Sequence, residues 1–381
     1  VKGQSQSYFS KCRIIVIMDQ VEDEEFELMY SVLLEAHADG IVDDEELLLL
    51  LLAMEEDQRA PRQVFGPPFD LDAISDAHCI ELFRFEADQI KMLRRLLGLQ
   101  DEYTYVDRKS WFGLEGLCLV LRRLAYPCRL KDLCALFGRS PSYLSIIFNV
   151  MCIELANRWR GHLDNFHLAQ FFTEQRLRMC VDAVHHICPL TTCFGFIDGT
   201  VRPICKPIYN QRPFFNGHKR VHSLKYQAVV SPDGLILHLF GPADGRQHDS
   251  AILRDSQILD KLATLPLAHN GDPHCIYGDP AYPFRPQLQV PVAGNALTHD
   301  QQLFNTQMSR GRIAVEWSFA KVVQYFSFVD YKKNQKLLLQ PVASHYFCAV
   351  LLTNCHTCLF GSETGRHFDL APPSIEEYLQ M

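Results

Sequence analysis

Phe194-Gly195-Phe196-Ile197-Asp198-Gly199-Thr200 is an apolar run that ends in a carboxylate, a glycine and a hydroxyl residue. Such a run reads as a buried strand. An ionised Asp at its end is costly to desolvate unless a cation answers it. From Val201 to Pro232 there is then no Asp or Glu. Arg202, Lys206, Arg212, Lys219, Arg220 and Lys225 all occur there, with Tyr209, Phe214, Phe215 and Tyr226 among them. A lone acid beside a basic, aromatic tract points to a metal centre next to a polyanion.

Outward from this stretch the period of the sequence favours an α/β sheet domain. Cys193–Ile197 is predicted as a strand. Leu224–Val230 and Leu235–Phe240 follow as two more, joined by the turn signal Ser231-Pro232-Asp233-Gly234. Asp249–Leu262 has helical spacing, and Cys275–Tyr277 is a short strand running into Gly278-Asp279. A Pro-rich loop spans 280–297, and helices are predicted over Ser309–Tyr325 and Val342–Phe360. Asp279 thus follows a strand as Asp198 does, while Glu316 lies inside a helix beside Ile313, Phe319, Ala320 and Val323. If the strands are neighbours and the helix crosses their ends, three carboxylates converge. Their repulsion would be severe unless divalent cations neutralise them. Mg²⁺ or Mn²⁺ suits such oxygen donors, and a pair of ions suits phosphodiester cleavage. Each acid also has a plainer use. Asp198 can cap the Gly-Thr turn, Asp279 can start the Pro280 turn, and Glu316 can pair with Arg312 one helical turn away.

N-terminal to the sheet the chain reads as helical. Ala87–Leu97 and Leu114–Leu124 are predicted helices. Leu130–Phe137, the Gly138-Arg139-Ser140 turn and a longer helix through Leu144, Ile147, Phe148 and Met151 form a helix-turn-helix-like unit within 112–160. Helical bundles that never touch DNA share this pattern. If the unit docks, Arg139, Ser142 and Tyr143 are its contacts. A further helix over about Leu168–Ile187 leads to the sheet. The expected layout is an acidic segment 1–60, a helical region 61–190, a catalytic domain 191–365 and a tail 366–381.

The net charge of −8 excludes a generally basic nucleic-acid binder, but the charge is uneven. Residues 1–60 hold fifteen Asp and Glu against Lys2, Lys11, Arg13 and Arg59, so the remainder is mildly basic. A helix is predicted over 43–59 in this acidic segment. Fourteen Cys without a regular framework, and no visible signal peptide, fit reduced thiols in cytosol or nucleus. The apolar runs Ile14–Met18 and Leu47–Met54 are far shorter than a membrane span. The first residue is Val1 rather than Met, which leaves the start of the protein open. Cys355-His356-Thr357-Cys358 has no second CxxC at finger spacing and reads as buried thiols of a core helix.

The segments GFIDGT, NGHKRVHSLKYQAVVSPDGLILHLFGP, GRQHDS, YGDPAYP and SRGRIAVEWSFAKV, in that order, resemble the transposase of PIF/Harbinger elements and the nucleases domesticated from it. The similarity covers roughly residues 100–365. It implies an RNase H-like fold with an Asp-Asp-Glu triad, metal-dependent phosphodiester cleavage and strand transfer. By motif the triad falls on Asp198, Asp279 and Glu316. Three positions depart from the family pattern: Pro280-Ala281 stands where many members have Ser-Gly, and Ala320 where Gly is frequent. Asp249 also matches a motif, as an accessory metal ligand or as a helix N-terminal residue orienting the loop. His248 beside it either touches substrate phosphate or is a solvated loop residue. Lys206, Arg212, Lys219 and Arg220 would line a DNA path through phosphate contacts; a merely solvated basic hairpin is the alternative. The resemblance adds a separate Myb-like protein supplying DNA binding and nuclear import, since no basic nuclear-localisation run is present. DNA, that protein and a second copy of the chain are the candidate partners, and a membrane is not. The chain would reside in the nucleus, with some in the cytoplasm, and bind DNA weakly when alone. The competing functions are a catalytically silent DNA-binding or scaffold protein and an RNase H-like nuclease unconnected with transposition.

Overall fold

The computed structural model describes residues 66–105, 109–164, 173–337 and 339–380. The acidic segment with its predicted helix, and the start of the helix expected from Leu168, lie outside the described residues.

The N-terminal part is helical, as the spacing predicts, with one departure. Helices α1 (Asp76–Phe83) and α2 (Ala87–Leu96) are followed by an antiparallel hairpin, β1 (Glu102–Tyr105) and β2 (Lys109–Phe112), that the apolar pattern did not reveal. Helix α3 (Gly113–Ala125) comes next. A 3₁₀ turn, Leu130–Leu133, then runs into α4 (Cys134–Phe137), and α5 (Pro141–Trp159) follows. Gly138 sits at φ +62°, and a Cβ there would lie 2.2 Å from the Pro67 carbonyl, so glycine is required twice over. Ser140 caps α5 by accepting from the Tyr143 N–H at 3.2 Å, and Pro141 opens it. The axes on either side of this turn differ by 92°, within the range of a helix-turn-helix.

Helix α5 is covered on both flanks. Trp111 Nε1 donates to Met151 Sδ at 3.4 Å on one side, and Cys348 Sγ reaches the Cys152 carbonyl at 3.3 Å on the other. Two of the three residues read as its DNA contacts, Arg139 and Tyr143, make internal bonds. Arg139 makes two hydrogen bonds to the buried carboxylate of Glu115, at 2.8 and 2.9 Å, and lies over the Tyr143 ring at 4.7 Å. The Tyr143 hydroxyl donates to the Ser110 carbonyl at 2.8 Å. Glu115 cannot be left unpaired in the core, so Arg139 serves as its structural counter-ion.

Helix α6 (Glu174–Ile187) leads into a mixed sheet ordered β4-β5-β3-β7-β8, with β6 on the far side of β5. Strands β3 (Cys193–Pro203), β5 (Val221–Val230) and β6 (Ile236–Asp244) pair antiparallel. Short α7 (Gln211–Phe214) and β4 (Phe215–Asn216) precede β5, and β4 extends its edge where β6 no longer pairs. Helices α8 (Asp249–Ser256) and α9 (Ile258–Leu262) follow, broken at Gln257, which adopts φ 53°. Strands β7 (Cys275–Tyr277) and β8 (Leu288–Gln289) run parallel to β3, and β8 lies within what reads as a Pro-rich loop. Helices α10 (His299–Tyr325), α11 (Val342–Phe360), α12 (Glu363–Phe368) and α13 (Ile375–Tyr378) complete the chain.

Strand β3 continues to Pro203 instead of ending at Ile197. Asp198 is therefore inside a strand, paired with Ala228. The antiparallel partner β5, invisible to local spacing, carries the strand on past the acid. One continuous hydrophobic core joins the helical region to the sheet. Arg123 of α3 marks the seam: its buried guanidinium lies 5.1 Å from the Phe148 ring and 5.0 Å from Phe328, and burial lowers its pKa to about 10. The 366–380 stretch is not a loose tail. Phe368, Leu370, Ile375 and Tyr378 are buried, and Asn354 Nδ2 donates to the Tyr378 hydroxyl at 2.9 Å.

A candidate active site around Arg312

The two-residue period of β3 puts Phe194, Phe196 and Asp198 on one face of the sheet. Helix α10 lies on that face. It approaches at Gly311, where a Cβ would stand 2.5 Å from Cys188 Sγ and 2.9 Å from the Phe196 ring. This close approach brings the next residue, Arg312, over the strand. Its Nη1 donates to Asp198 Oδ2 at 2.9 Å and its Nη2 to Glu316 Oε1 at 3.3 Å. One guanidinium thus joins a strand acid and a helix acid. The Gly199 N–H also donates to Asp198 Oδ1, at 2.7 Å.

Asp279 occupies the equivalent place on the adjacent parallel strand. Phe196 of β3 is in register with Tyr277 of β7, and each acid lies two residues beyond that pair. Its carboxylate accepts from the Ala281 N–H at 3.0 Å, forming the turn expected ahead of Pro280. Gly278 is needed here because a Cβ would come within 2.8 Å of the Tyr282 ring and 3.0 Å of Ile197. Burial raises the pKa of Asp198 first of all. The charges of Asp279 and Glu316 raise it further, and the Gly199 N–H and Arg312 oppose them. Asp198 is therefore close enough to feel the charge of both other acids.

Glu316 is more exposed than its neighbours suggest. Its side chain is 56% accessible, and Ile313 and Ala320 are exposed as well. The buried face of α10 is instead Met308, Gly311, Ala314, Val315, Ser318, Phe319 and Val322.

Among the described residues no group of three or more His, Cys, Asp or Glu side chains is gathered closely enough to hold a metal ion. The oxygen donors of Asp198 and Glu316 suit a hard divalent cation, and they already share one cation, the Arg312 guanidinium. The donor chemistry fits a metal, but Arg312 stands between the two acids.

Asp249 is placed differently. It is the first residue of α8, and Lys225 Nζ donates to its Oδ1 at 2.9 Å. This oxygen lies 3.1 Å from where a Cβ on Gly199 would be, hence on the face of β3 opposite Asp198. The geometry is that of an orienting residue with its own lysine partner. In the basic tract, Arg202 is likewise engaged, with Asp330 at 3.2 Å and Thr200 at 2.6 Å. Lys206 and Arg212 line an open cleft of about 900 Å³, together with Arg246 and His248. Lys219 and Arg220 are exposed at the tip of the β4–β5 hairpin, which is outside the cleft lining.

The sequence reading assigned no role to Arg312 beyond a helix pair with Glu316, and none to Arg246. The SRGRIAVEW and GRQHDS motifs contain both, but only the folded chain shows what each faces. Cys355 is buried within α11 and its thiol pKa is pushed up by burial. His356 packs between Phe85, Tyr325 and Phe360.

Comparison with known families agrees with this layout. Residues 197–354 match the model of a DDE superfamily endonuclease. The chain carries a domain of that family, the Harbinger-type DDE domain which its motifs resemble, preceded by a helical region. No curated protein and no solved structure gave a match.

Proposed function

We propose that this chain is a divalent-cation-dependent DNA endonuclease of transposase descent, with an RNase H-like catalytic core. Asp198, Asp279 and Glu316 are its acids. The observation that carries the reading is the convergence of Asp198 and Glu316 on one cation, with Asp279 in the matching position on the neighbouring parallel strand. The family match supports a nuclease-type chemistry in general.

Mg²⁺ or Mn²⁺, held by the three carboxylates, would supply an activated water or hydroxyl and neutralise the leaving oxygen. The protein's own contribution is positional. The β3–β7 register fixes the two Asp side chains at one level, and α10 presents Glu316 beside them. Arg312, released from the acids, is in reach of a phosphate. Lys206 and Arg212 hold the DNA backbone without reading its sequence. Binding by the chain alone is weak and salt-sensitive, and a separate Myb-like protein supplies recognition and nuclear entry. Duplex nicking in Mn²⁺, with and without that partner, is the direct test. Asp198→Asn should reduce the rate by several orders of magnitude, and equal nicking by the variant would sink the reading.

A second reading has an observation of its own. Arg312 gives both Asp198 and Glu316 a protein cation as partner, the arrangement a DNA-binding protein that no longer cuts would keep. Absence of nicking under all these conditions, with DNA binding retained, would favour it.

A further inference from the structure

We infer that the cleft between the β4–β5 hairpin and the 245–248 loop is a binding site for a single unpaired nucleotide of the DNA. Its phosphate is held by Lys206, Arg212 and Arg246, and its base is stacked on Phe215. The inference rests on the reading above only for DNA as the polymer that is bound.

The cleft is a built feature. Asn216 is buried; its Nδ2 donates to the Gly245 carbonyl at 2.9 Å and its Oδ1 accepts from the Lys219 N–H at 2.9 Å. The Arg246 N–H donates to the Pro213 carbonyl at 3.0 Å. A Cβ on Gly245 would stand 2.4 Å from the Ser223 carbonyl and 2.5 Å from that of Phe214, so the two walls meet only because residue 245 is glycine. Hairpin and loop are locked together along their whole contact, which leaves a space of fixed shape.

Its chemistry is uneven in an informative way. No carboxylate lines the cleft. Lys225 is neutralised by Asp249, but no ion pair engages Lys206, Arg212 or Arg246 among the described residues. Three uncompensated cations around one cleft attract an anion of several charges. Phe215 stands among them with 43% of its surface exposed, its ring edge-on to His222 at 5.4 Å between centroids. An exposed ring beside unpaired cations is the arrangement by which proteins hold single-stranded nucleic acid. The volume of about 900 Å³ is in the range of small-ligand sites and far too small for a duplex. Lys225, which lines the cleft, is bonded to Asp249, whose carboxylate lies against Gly199 on the face of β3 opposite Asp198.

The test is fluorescence anisotropy with the full chain, at low salt and in EDTA. A blunt duplex is compared with the same duplex bearing a short single-stranded extension. The extended duplex should bind roughly tenfold more tightly. Phe215→Ala should remove that advantage and leave blunt-duplex binding unchanged, and Phe215→Trp should restore it. Equal binding of the two duplexes, no binding of either, or equal loss of both in Phe215→Ala would overturn the inference. Release of the extended duplex by a free mononucleotide at comparable concentration would also overturn it, assigning the site to a small ligand. None of these readouts needs cleavage. A chain that fails to nick DNA yet discriminates the two duplexes would refute the nuclease reading alone.

Discussion

At the scale of single residues, the chain's most informative contact is Arg312 between two acids. Asp198 has a raised pKa because burial and the neighbouring charges of Asp279 and Glu316 outweigh Arg312 and the Gly199 N–H. The sign follows: its contribution to stability is complete below the ordinary carboxylate range and is lost as pH rises through the raised value. At neutral pH the ionised side chain therefore strains the fold. Asp198→Asn should raise Tm in EDTA by roughly 2 °C, with the gain vanishing at acidic pH. A lower Tm for the variant at pH 7 would show that the Arg312 pair dominates. Arg312→Gln leaves two carboxylates facing each other without a counter-ion. It should cost about 1–2 kcal/mol in EDTA, because the pair is only partly buried. The same variant should gain more Tm from added Mn²⁺ than the wild type does, as the ion no longer competes with a guanidinium. Equal Mn²⁺ increments in calorimetry would contradict that competition.

At the scale of elements, the site depends on how closely α10 approaches β3. Gly311 sets that distance, since its absent Cβ leaves room for Cys188 Sγ and the Phe196 ring. An alanine would suit the helix locally, by about 1 kcal/mol, but both neighbours are buried and cannot yield cheaply. Gly311→Ala should thus be destabilising by about 1–3 kcal/mol, and should also lower nicking by pushing Arg312 and Glu316 off the strand. A stabilised variant with unchanged activity would refute the close-packing account. The elements themselves were largely legible. The turn at Ser231–Gly234, the limits of α11 and β7, and the Pro141 start of α5 follow from local chemistry. The β1–β2 hairpin and the extension of β3 past Asp198 did not show, because both depend on pairing with residues elsewhere in the chain.

At the scale of the molecule, several histidines are buried in the shared core. His162 is lowered to about 4, and His238, His345 and His356 to about 3, with burial the first cause in each. They stay neutral in the fold and take up protons only on unfolding. Stability from this source is therefore complete above about pH 6.5 and is lost as pH falls, by about 1 kcal/mol per histidine per pH unit. Tm measured by calorimetry should drop steeply between pH 6.5 and 5, and His345→Leu should flatten the drop. A constant Tm over that interval would show that the core histidines are not kept neutral.

What the sequence by itself determined was the order of strands and helices, the three acids in their motifs and the basic stretch between them. These follow from apolar periodicity, turn residues and motif order, all of which act over short spans of chain. Only the tertiary structure decided which charges are already answered. Arg139 belongs to Glu115, Lys225 to Asp249 and Arg312 to Asp198 and Glu316 together, while Lys206, Arg212 and Arg246 face an open cleft. A charge pairs with whatever the folded backbone brings within a few ångströms, and in three of these pairs the partner is 24 or more positions away. No local pattern encodes that meeting.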